Sequence, residues 1–180
     1  MKGLSKFIFY RLMGWKIAGE FPILKKYVII VLPHTSWHDF YVGVLVRSIS
    51  GLKMNFVAKK ELFRPPFGWY FKAVGGAALD RTSGQNKVQG IAEIFEEREE
   101  FRLAIAPEGT RKKVDKLKTG FYYIAKEAKV PVVMTALDFA NKQVKVSAPF
   151  YPTDDIEADF KTIKSFYKGV KGKIPENSFE

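Results

Sequence analysis

Two histidines lie four positions apart in the stretch PHTSWHD (residues 33–39), and the chain has no others. His34 is a candidate general base, because an unperturbed histidine gains or loses its proton near physiological pH. Asp39 follows five positions later, and its carboxylate can turn back across one helical turn to fix the tautomer of the ring. The pair supplies a base and its orienting group but no nucleophile.

The same residues also allow a purely structural interpretation. Ser36 and Asp39 have the spacing of a capping box, in which the acidic side chain satisfies a backbone donor at the start of a helix. His38 points toward the body of that helix, so we expect it to pack or to face solvent. Both interpretations of Asp39 stay open on the residues alone.

The pattern around this stretch predicts a strand followed by a helix. Residues 27–32 are apolar and mostly β-branched, which indicates a buried strand. From Trp37 to Ile49, mostly apolar residues then recur at the spacing of one helix face. His34 therefore lies at the carboxyl end of a strand, where ligands bind in open α/β sheets.

A second polar junction, PEGTR (residues 107–111), follows another predicted strand at 103–106. Gly109 permits a tight turn, and Thr110 adds a hydroxyl donor. Arg111 presents a planar fork of donors that suits a phosphate group. This junction has the same design as the first, because a strand ends and polar groups gather on the loop that follows.

Basic residues extend this second loop. Five of them stand against one acidic residue between positions 111 and 118, and Lys118 is the last. Arg81, after a predicted strand at 73–79, is a further candidate ligand for an anion. The composition indicates either an anion site or a solvated basic loop.

Length and composition limit the class of protein. A chain of 180 residues with 47% hydrophobic content can form one compact α/β domain and is short for two. The absence of cysteine excludes a disulfide framework, a thiolate nucleophile and a cysteine-ligated metal, and fits a reducing compartment. The net charge of +11 indicates a polyanionic partner, which is nucleic acid, an anionic membrane or a phosphorylated substrate.

Residues 1–26 form a basic, aromatic-rich amino-terminal segment with six basic residues and one acidic residue. Its uncharged stretches are far shorter than the roughly 20 apolar residues of a membrane span. Arg11 interrupts any signal-peptide core, and no small-residue cleavage site follows. We expect an amphipathic helix in the headgroup layer of a membrane. The alternative is a helix docked on the protein surface.

The remaining chain alternates predicted strands and helices, without a repeat or a linker. This alternation predicts one α/β domain with a mostly parallel central sheet flanked by helices. The further predicted strands are 54–58, 73–79, 130–139 and 143–150, and the further predicted helices are 83–101, 121–129 and one from 153 onward, whose apolar stripe is Ile156, Phe160, Ile163, Tyr167 and Val170.

The two polar junctions together resemble a known family. Residues 34–39 match the HxxxxD motif and residues 108–111 the EGTR motif of the glycerolipid acyltransferases typified by 1-acylglycerol-3-phosphate acyltransferase. Residues 75–81 resemble the intervening block that ends in an aspartate-arginine pair. Residues 130–133 resemble the fourth block, although Met134 stands where many members have a second proline. The resemblance spans roughly residues 27–150.

This resemblance implies a glycerol-3-phosphate acyltransferase-like domain over residues 27–180. It would move a fatty acyl group from acyl-CoA or acyl carrier protein to a lipid hydroxyl, with neither a metal nor a resident cofactor. His34 would take the hydroxyl proton, and Asp39 would hold the imidazole and stabilise its cation. The other implied site residues are Arg111, Arg81 and Lys118 for the acceptor phosphate, and Glu108, Gly109 and Thr110 for the shape of the pocket.

The implied acceptor is a lysophospholipid, 1-acyl-sn-glycerol-3-phosphate first, with other lysolipids or aminolipids as alternatives. The implied location is cytoplasmic, on the inner face of the cell membrane, in phospholipid biosynthesis. A nucleic-acid-binding module would explain the charge, but it leaves the dyad unused, and no nucleic-acid-binding signature is visible, so we expect no nucleic-acid partner. A metal-dependent hydrolase could use His34, His38 and Asp39, but a further ligand with suitable spacing is missing.

Overall fold

The computed structural model describes residues 2–66, 68–73, 75–79 and 87–179. Strands and helices alternate through most of these ranges. The strands are β1 (Lys16–Ala18), β2 (Lys26–Leu32), β3 (Phe56–Lys59), β4 (Gly76–Leu79), β5 (Phe101–Ile105), β6 (Val132–Asp138) and β7 (Gln143–Val146). The α-helices are α1 (Lys2–Lys6), α2 (His38–Ser50), α3 (Gly68–Ala73), α4 (Lys87–Glu97), α5 (Gly120–Glu127) and α6 (Ile156–Tyr167).

The main sheet has five strands in the order β1-β7-β6-β2-β5. Strand β2 pairs in parallel with both β5 and β6, β1 pairs in parallel with β7, and β6 and β7 are antiparallel. The short parallel pair β3-β4 adjoins β5 through a bridge between Asn55 and Leu103. The prediction of one α/β domain with a mostly parallel central sheet flanked by helices is confirmed.

Strand β2 is packed on both faces, because its side chains alternate between two hydrophobic cores. Val28, Ile30 and Leu32 lie in the core that α4, α5 and α6 cover. Tyr27 and Ile29 lie in the opposite core, with α2 and the amino-terminal segment. Since every β2 residue from 27 to 30 is buried, the loop that carries His34 leaves a rigid strand.

The amino-terminal segment is only partly helical. Helix α1 continues as a π-helical turn over Phe7–Leu12, and the chain then forms β1, which the sequence did not predict. Phe9 is fully buried and Trp15 nearly so, and Trp15 packs edge-on against Phe139 at 4.8 Å between ring centroids. A strand of three residues is too short to show an alternating pattern. Within the ranges given above, no helix has the length and apolarity to cross a bilayer.

Other predicted elements are present with shifted ends. The helix predicted over 83–101 is α4, and it ends at Glu97 because Phe101 is fully buried and begins β5 opposite Lys26. Val170 lies beyond α6, after Gly169 in the left-handed region at φ 77°, and it is buried in the same core as Ile163 and Tyr167. Residues 80–86 lie outside the described ranges, so Arg81 is outside them too.

Candidate active site

The predicted dyad forms where β2 gives way to α2. His34 Nδ1 lies 3.0 Å from Asp39 Oδ2, and the Asp39 side chain is 2% exposed against 25% for His34. Because a carboxylate accepts, Nδ1 carries the proton in this pairing and Nε2 is left free to accept another. The ring is therefore oriented as a general base requires.

Asp39 fulfils both interpretations that the sequence left open. Its Oδ2 also accepts the backbone N–H of Ser36 at 2.8 Å, so the acidic side chain satisfies a backbone donor just before the start of α2. Its Oδ1 is buried and has no hydrogen-bond partner among the described residues. The same carboxylate thus stabilises the helix start and orients His34.

His38 packs, as expected for a residue on the helix body. Its Nδ1 is 2.8 Å from Ser36 Oγ, and its ring stacks on Trp37 with 4.1 Å between centroids. The ring also contacts Tyr41 edge-on at 5.6 Å between centroids. These contacts give His38 a packing role beside the dyad.

Glu108 reaches the dyad from the second junction. Its Oε2 accepts the backbone N–H of His34 at 2.6 Å, and the residue is 2% exposed. Burial raises the pKa of Glu108 from 4.5 to about 7, against the lowering effect of the His34 hydrogen bond and with a smaller rise from the nearby Asp39 charge. Glu108 does not line the cavity described below, and it holds the backbone that carries the candidate base.

The other candidates on this loop occupy different places. Gly109 has φ 66°, and Lys118 packs so closely over it that a Cβ there would lie 2.2 Å from Nζ. Thr110 is exposed, and its Oγ1 accepts the Lys112 N–H at 3.3 Å. Arg111 is exposed and lines the same cavity as His34 and Asp39. Of the described anion candidates, Arg111 therefore shares the cavity with the dyad, and Lys118 lies beside Gly109.

A cavity of about 420 Å³ opens beside the dyad, between α2 and one face of the sheet. Its wall is mostly apolar and comes from several strands and α2, which are distant in sequence. Its polar members include His34, Asp39 and Arg111. Representative apolar members are Val31, Phe40, Val44, Ile105, Leu137 and Val144.

Thr135 is a cavity residue that the sequence analysis missed. It is 4% exposed, and its Oγ1 finds no hydrogen-bond partner in the described part of the chain. The available signal was a hydroxyl within the otherwise apolar part of β6. A buried unpaired hydroxyl on the wall of a cavity can bind a polar atom of a ligand or an ordered water.

Histidine, aspartate and glutamate side chains form no group of three that could hold a metal ion, as far as the described residues extend. The polar side chains that line the cavity are instead one imidazole, one carboxylate, two guanidinium groups, one amide and one hydroxyl. That set suits proton transfer and the binding of an anion.

Fold and site together define a class of α/β domain in which a histidine-carboxylate pair and an arginine share one apolar cavity. A family model described as Acyltransferase matches residues 16–137, about two thirds of the chain, from β1 to β6. The chain therefore belongs to the acyltransferase family, that of the glycerolipid acyltransferases, and its general activity is acyl transfer. No curated protein matches it significantly.

Proposed function

We propose that this acyltransferase moves a fatty acyl group from a thioester, on coenzyme A or acyl carrier protein, to the hydroxyl of a lysophospholipid. The acceptor we propose first is 1-acyl-sn-glycerol-3-phosphate, and other lysolipids or aminolipids are the alternatives. The observation that carries this proposal is that His34, Asp39 and Arg111 line one apolar cavity. Each part of the reaction then has a group suited to it.

In the proposed reaction, His34 Nε2 takes the proton of the acceptor hydroxyl as the hydroxyl oxygen attacks the thioester carbonyl carbon. The carbon-sulfur bond then breaks, and the leaving thiolate takes the proton back from the imidazolium. Asp39, 3.0 Å from Nδ1, stabilises that cation. General base catalysis of this kind contributes roughly 100 to 10,000-fold. The acyl group passes directly to the acceptor, so no acyl-enzyme is needed.

The cavity is suited to the acyl chain. Its volume of about 420 Å³ lies within the range of small-molecule sites, and its wall is largely apolar. Each methylene that moves from water into such a site contributes about 0.8 kcal/mol. Binding of the chain would therefore fix the thioester close to His34.

Arg111 is the proposed ligand of the acceptor phosphate. A guanidinium binds a phosphate through two parallel hydrogen bonds, which fixes orientation as well as distance. Lys118, packed against Gly109 in the same loop, adds positive charge nearby. Arg81 stays a proposal from the resemblance. Glu108 supports the site indirectly, through the His34 backbone.

The proposed place of action is the cytoplasmic face of the cell membrane, with peripheral binding to anionic lipid. Trp37, Phe40 and Val44 form an exposed apolar stripe along α2. Phe40 and Val44 also line the cavity, so the stripe and the acyl site are continuous. Leu4 and Phe7 expose further apolar surface on a basic amino-terminal segment, whose α1 packs beside α2. We call Trp37, Phe40 and Val44 the α2 stripe.

The test is release of free thiol from a long-chain acyl-CoA by purified protein, with lysophosphatidate as acceptor. We expect acceptor-dependent release in the wild type and a loss of at least 100-fold in His34→Ala. His38→Gln is the matched control, because it changes the neighbouring histidine, which packs against Trp37. Equal losses in both variants would contradict the role of His34.

A panel of acceptors and donors tests the finer specificity. Lysolipids with and without a free phosphate group, and an aminolipid, identify the acceptor, and Arg111→Lys should raise KM only for phosphate-bearing acceptors. Release without any acceptor would indicate a thioesterase. If acyl-CoA gives no release, acyl carrier protein is the remaining donor, and failure with both would overturn the proposal.

A further inference from the structure

The chain after α6 contacts the loop that carries His34. We call residues 168–179 the C-terminal strap. Ile174 donates its backbone N–H to Thr35 Oγ1 at 3.1 Å. Gly172 approaches the same side chain so closely that a Cβ there would lie 2.6 Å from Thr35 Oγ1 and 2.7 Å from its Cγ2. The strap lies well beyond residue 137, where the family match ends.

The strap is itself firmly anchored. Gly172 donates its N–H to Ser178 Oγ at 2.9 Å, and Ser178 is 1% exposed. Val170 and Phe179 are buried in the core on that side of the sheet. Phe139, directly after β6, donates its N–H to the Lys171 carbonyl at 2.8 Å. A segment held at both ends can transmit a fixed position to Thr35.

Thr35 lies between His34, the candidate base, and Ser36, whose backbone N–H donates to Asp39. The backbone N–H of His34 is held by Glu108 Oε2, and that of Ser36 by Asp39 Oδ2. The Thr35 side chain is 2% exposed and accepts the Ile174 N–H. Three consecutive residues are therefore tied to three separate parts of the chain, which are the second junction, α2 and the strap.

We propose that the C-terminal strap positions the catalytic dyad through Thr35, so that Thr35 and Gly172 are positioning residues of this enzyme. The hydrogen bond from Ile174 and the close packing of Gly172 fix the loop backbone from which the His34 ring reaches Asp39. This inference rests on the proposed role of His34 as base. A merely structural strap would instead affect stability and leave the His34 ring unchanged.

Kinetics give the first readout. In Thr35→Val the hydroxyl is lost with little change in shape, and we expect kcat to fall roughly tenfold, about 1.4 kcal/mol. KM for donor and acceptor should change little, because Thr35 does not line the cavity. Thr35→Ser keeps the acceptor oxygen and should retain activity. Thr162→Val, an exposed threonine on α6, is the matched control.

The His34 ring gives a second readout that needs no substrate. Selective ¹⁵N labelling of histidine gives ring signals from two residues alone, and His38→Gln assigns them. We expect the wild-type His34 ring to carry its proton on Nδ1, and Thr35→Val to populate both tautomers. Thr35→Ser and Thr162→Val should keep the wild-type signals.

The two readouts separate the possible failures. If the wild type transfers no acyl group, the proposed function fails while the ring signals still test the strap. If Thr35→Val folds and keeps both kcat and the ring signals, the strap is only structural and the inference is wrong. If Thr35→Val does not fold, Gly172→Ala carries the same test, because its methyl group displaces Thr35 without removing the hydroxyl.

Discussion

The carboxyl group of Glu108 joins two loops that are 74 positions apart, because it accepts the backbone N–H of His34. Burial raises the pKa of Glu108 from 4.5 to about 7. Between these values the folded protein keeps a proton that the unfolded chain has released. The contribution of Glu108 to the free energy of unfolding is therefore fully present below pH 4.5. It falls by about 3 kcal/mol in total as the pH rises through about 7.

Glu108→Gln should remove this pH dependence. The amide oxygen can still accept the His34 N–H, but the side chain does not titrate. We expect the variant to gain free energy of unfolding relative to wild type between pH 5 and pH 8, by about 3 kcal/mol at most. Urea denaturation at the two pH values measures it, with the exposed Glu127→Gln as control. A constant difference between variant and wild type would contradict the assignment.

Thr135 offers a second test at the scale of one residue. Its buried hydroxyl lacks a hydrogen-bond partner among the residues that the structure describes. An unpaired buried group of this kind lowers the free energy of unfolding by about 1–3 kcal/mol. Thr135→Val keeps the shape and removes the hydroxyl, so we expect the free energy of unfolding to rise by about 1 kcal/mol. Chemical denaturation of the ligand-free protein measures this. A loss of stability would indicate that Thr135 is hydrogen-bonded in solution.

The sequence predicted the parts of the site that are local. His34 and Asp39 are five positions apart, so the turn that leads into α2 can bring their side chains within reach of each other. Two other features depend on how β2, β5 and β6 pair. These are the hydrogen bond that Glu108 accepts from His34 and the position of Thr135 on the cavity wall. Strand order is a long-range property, and residue types alone do not encode the contact between two distant loops.

At the scale of elements, α2 forms one wall of the cavity and also carries Asp39. Gly43 lies one turn after Asp39 and lines the cavity, and a Cβ at this position would meet no atom within 4 Å. The helix therefore has room for a larger residue on its inner face. Glycine inside a helix also lowers the stability of that helix by about 1 kcal/mol relative to alanine.

Substitutions of Gly43 should change both stability and chain-length preference. Gly43→Ala should raise the free energy of unfolding by about 1 kcal/mol, and Gly43→Leu should shorten the longest acyl chain that is transferred efficiently. Chemical denaturation and kcat/KM over a series of acyl-CoA lengths measure the two effects. Gly120→Ala in α5 also has open space, lies away from the cavity and should leave the chain-length profile unchanged.

The longest predicted elements are those with a continuous apolar run or a helical stripe. In β2 five of the seven residues are buried, and α6 keeps a helical stripe from Ile156 to Tyr167. β1 has three residues and is visible only through its pairing with β7. The end of α4 was misplaced because the acidic run after it continues a helical composition, whereas the burial of Phe101 begins a strand.

At the scale of the whole molecule, the positive charge and the exposed apolar surface would act together in the proposed membrane binding. In the proposed membrane binding, the net charge of +11 would attract the chain to anionic lipid from a distance, and salt at 0.1 M screens such an attraction over about 10 Å. The α2 stripe would then contact the apolar part of the bilayer, where a tryptophan is well suited to the interface. Binding of this kind has a salt-sensitive component and an apolar component that salt does not remove.

Cosedimentation with vesicles separates these two components. The wild type should bind vesicles that contain anionic lipid at low salt, and binding should weaken as salt rises. Replacing Trp37 and Phe40 by serine should reduce binding at both salt concentrations, because the lost contact is apolar. Tyr151→Ser is the matched control, since Tyr151 is as exposed as Trp37 but lies beside Lys26 and Pro131, near the amino ends of β2 and β6. No binding at low salt would exclude the membrane proposal, and equal losses in the stripe variant and Tyr151→Ser would show that another surface makes the contact.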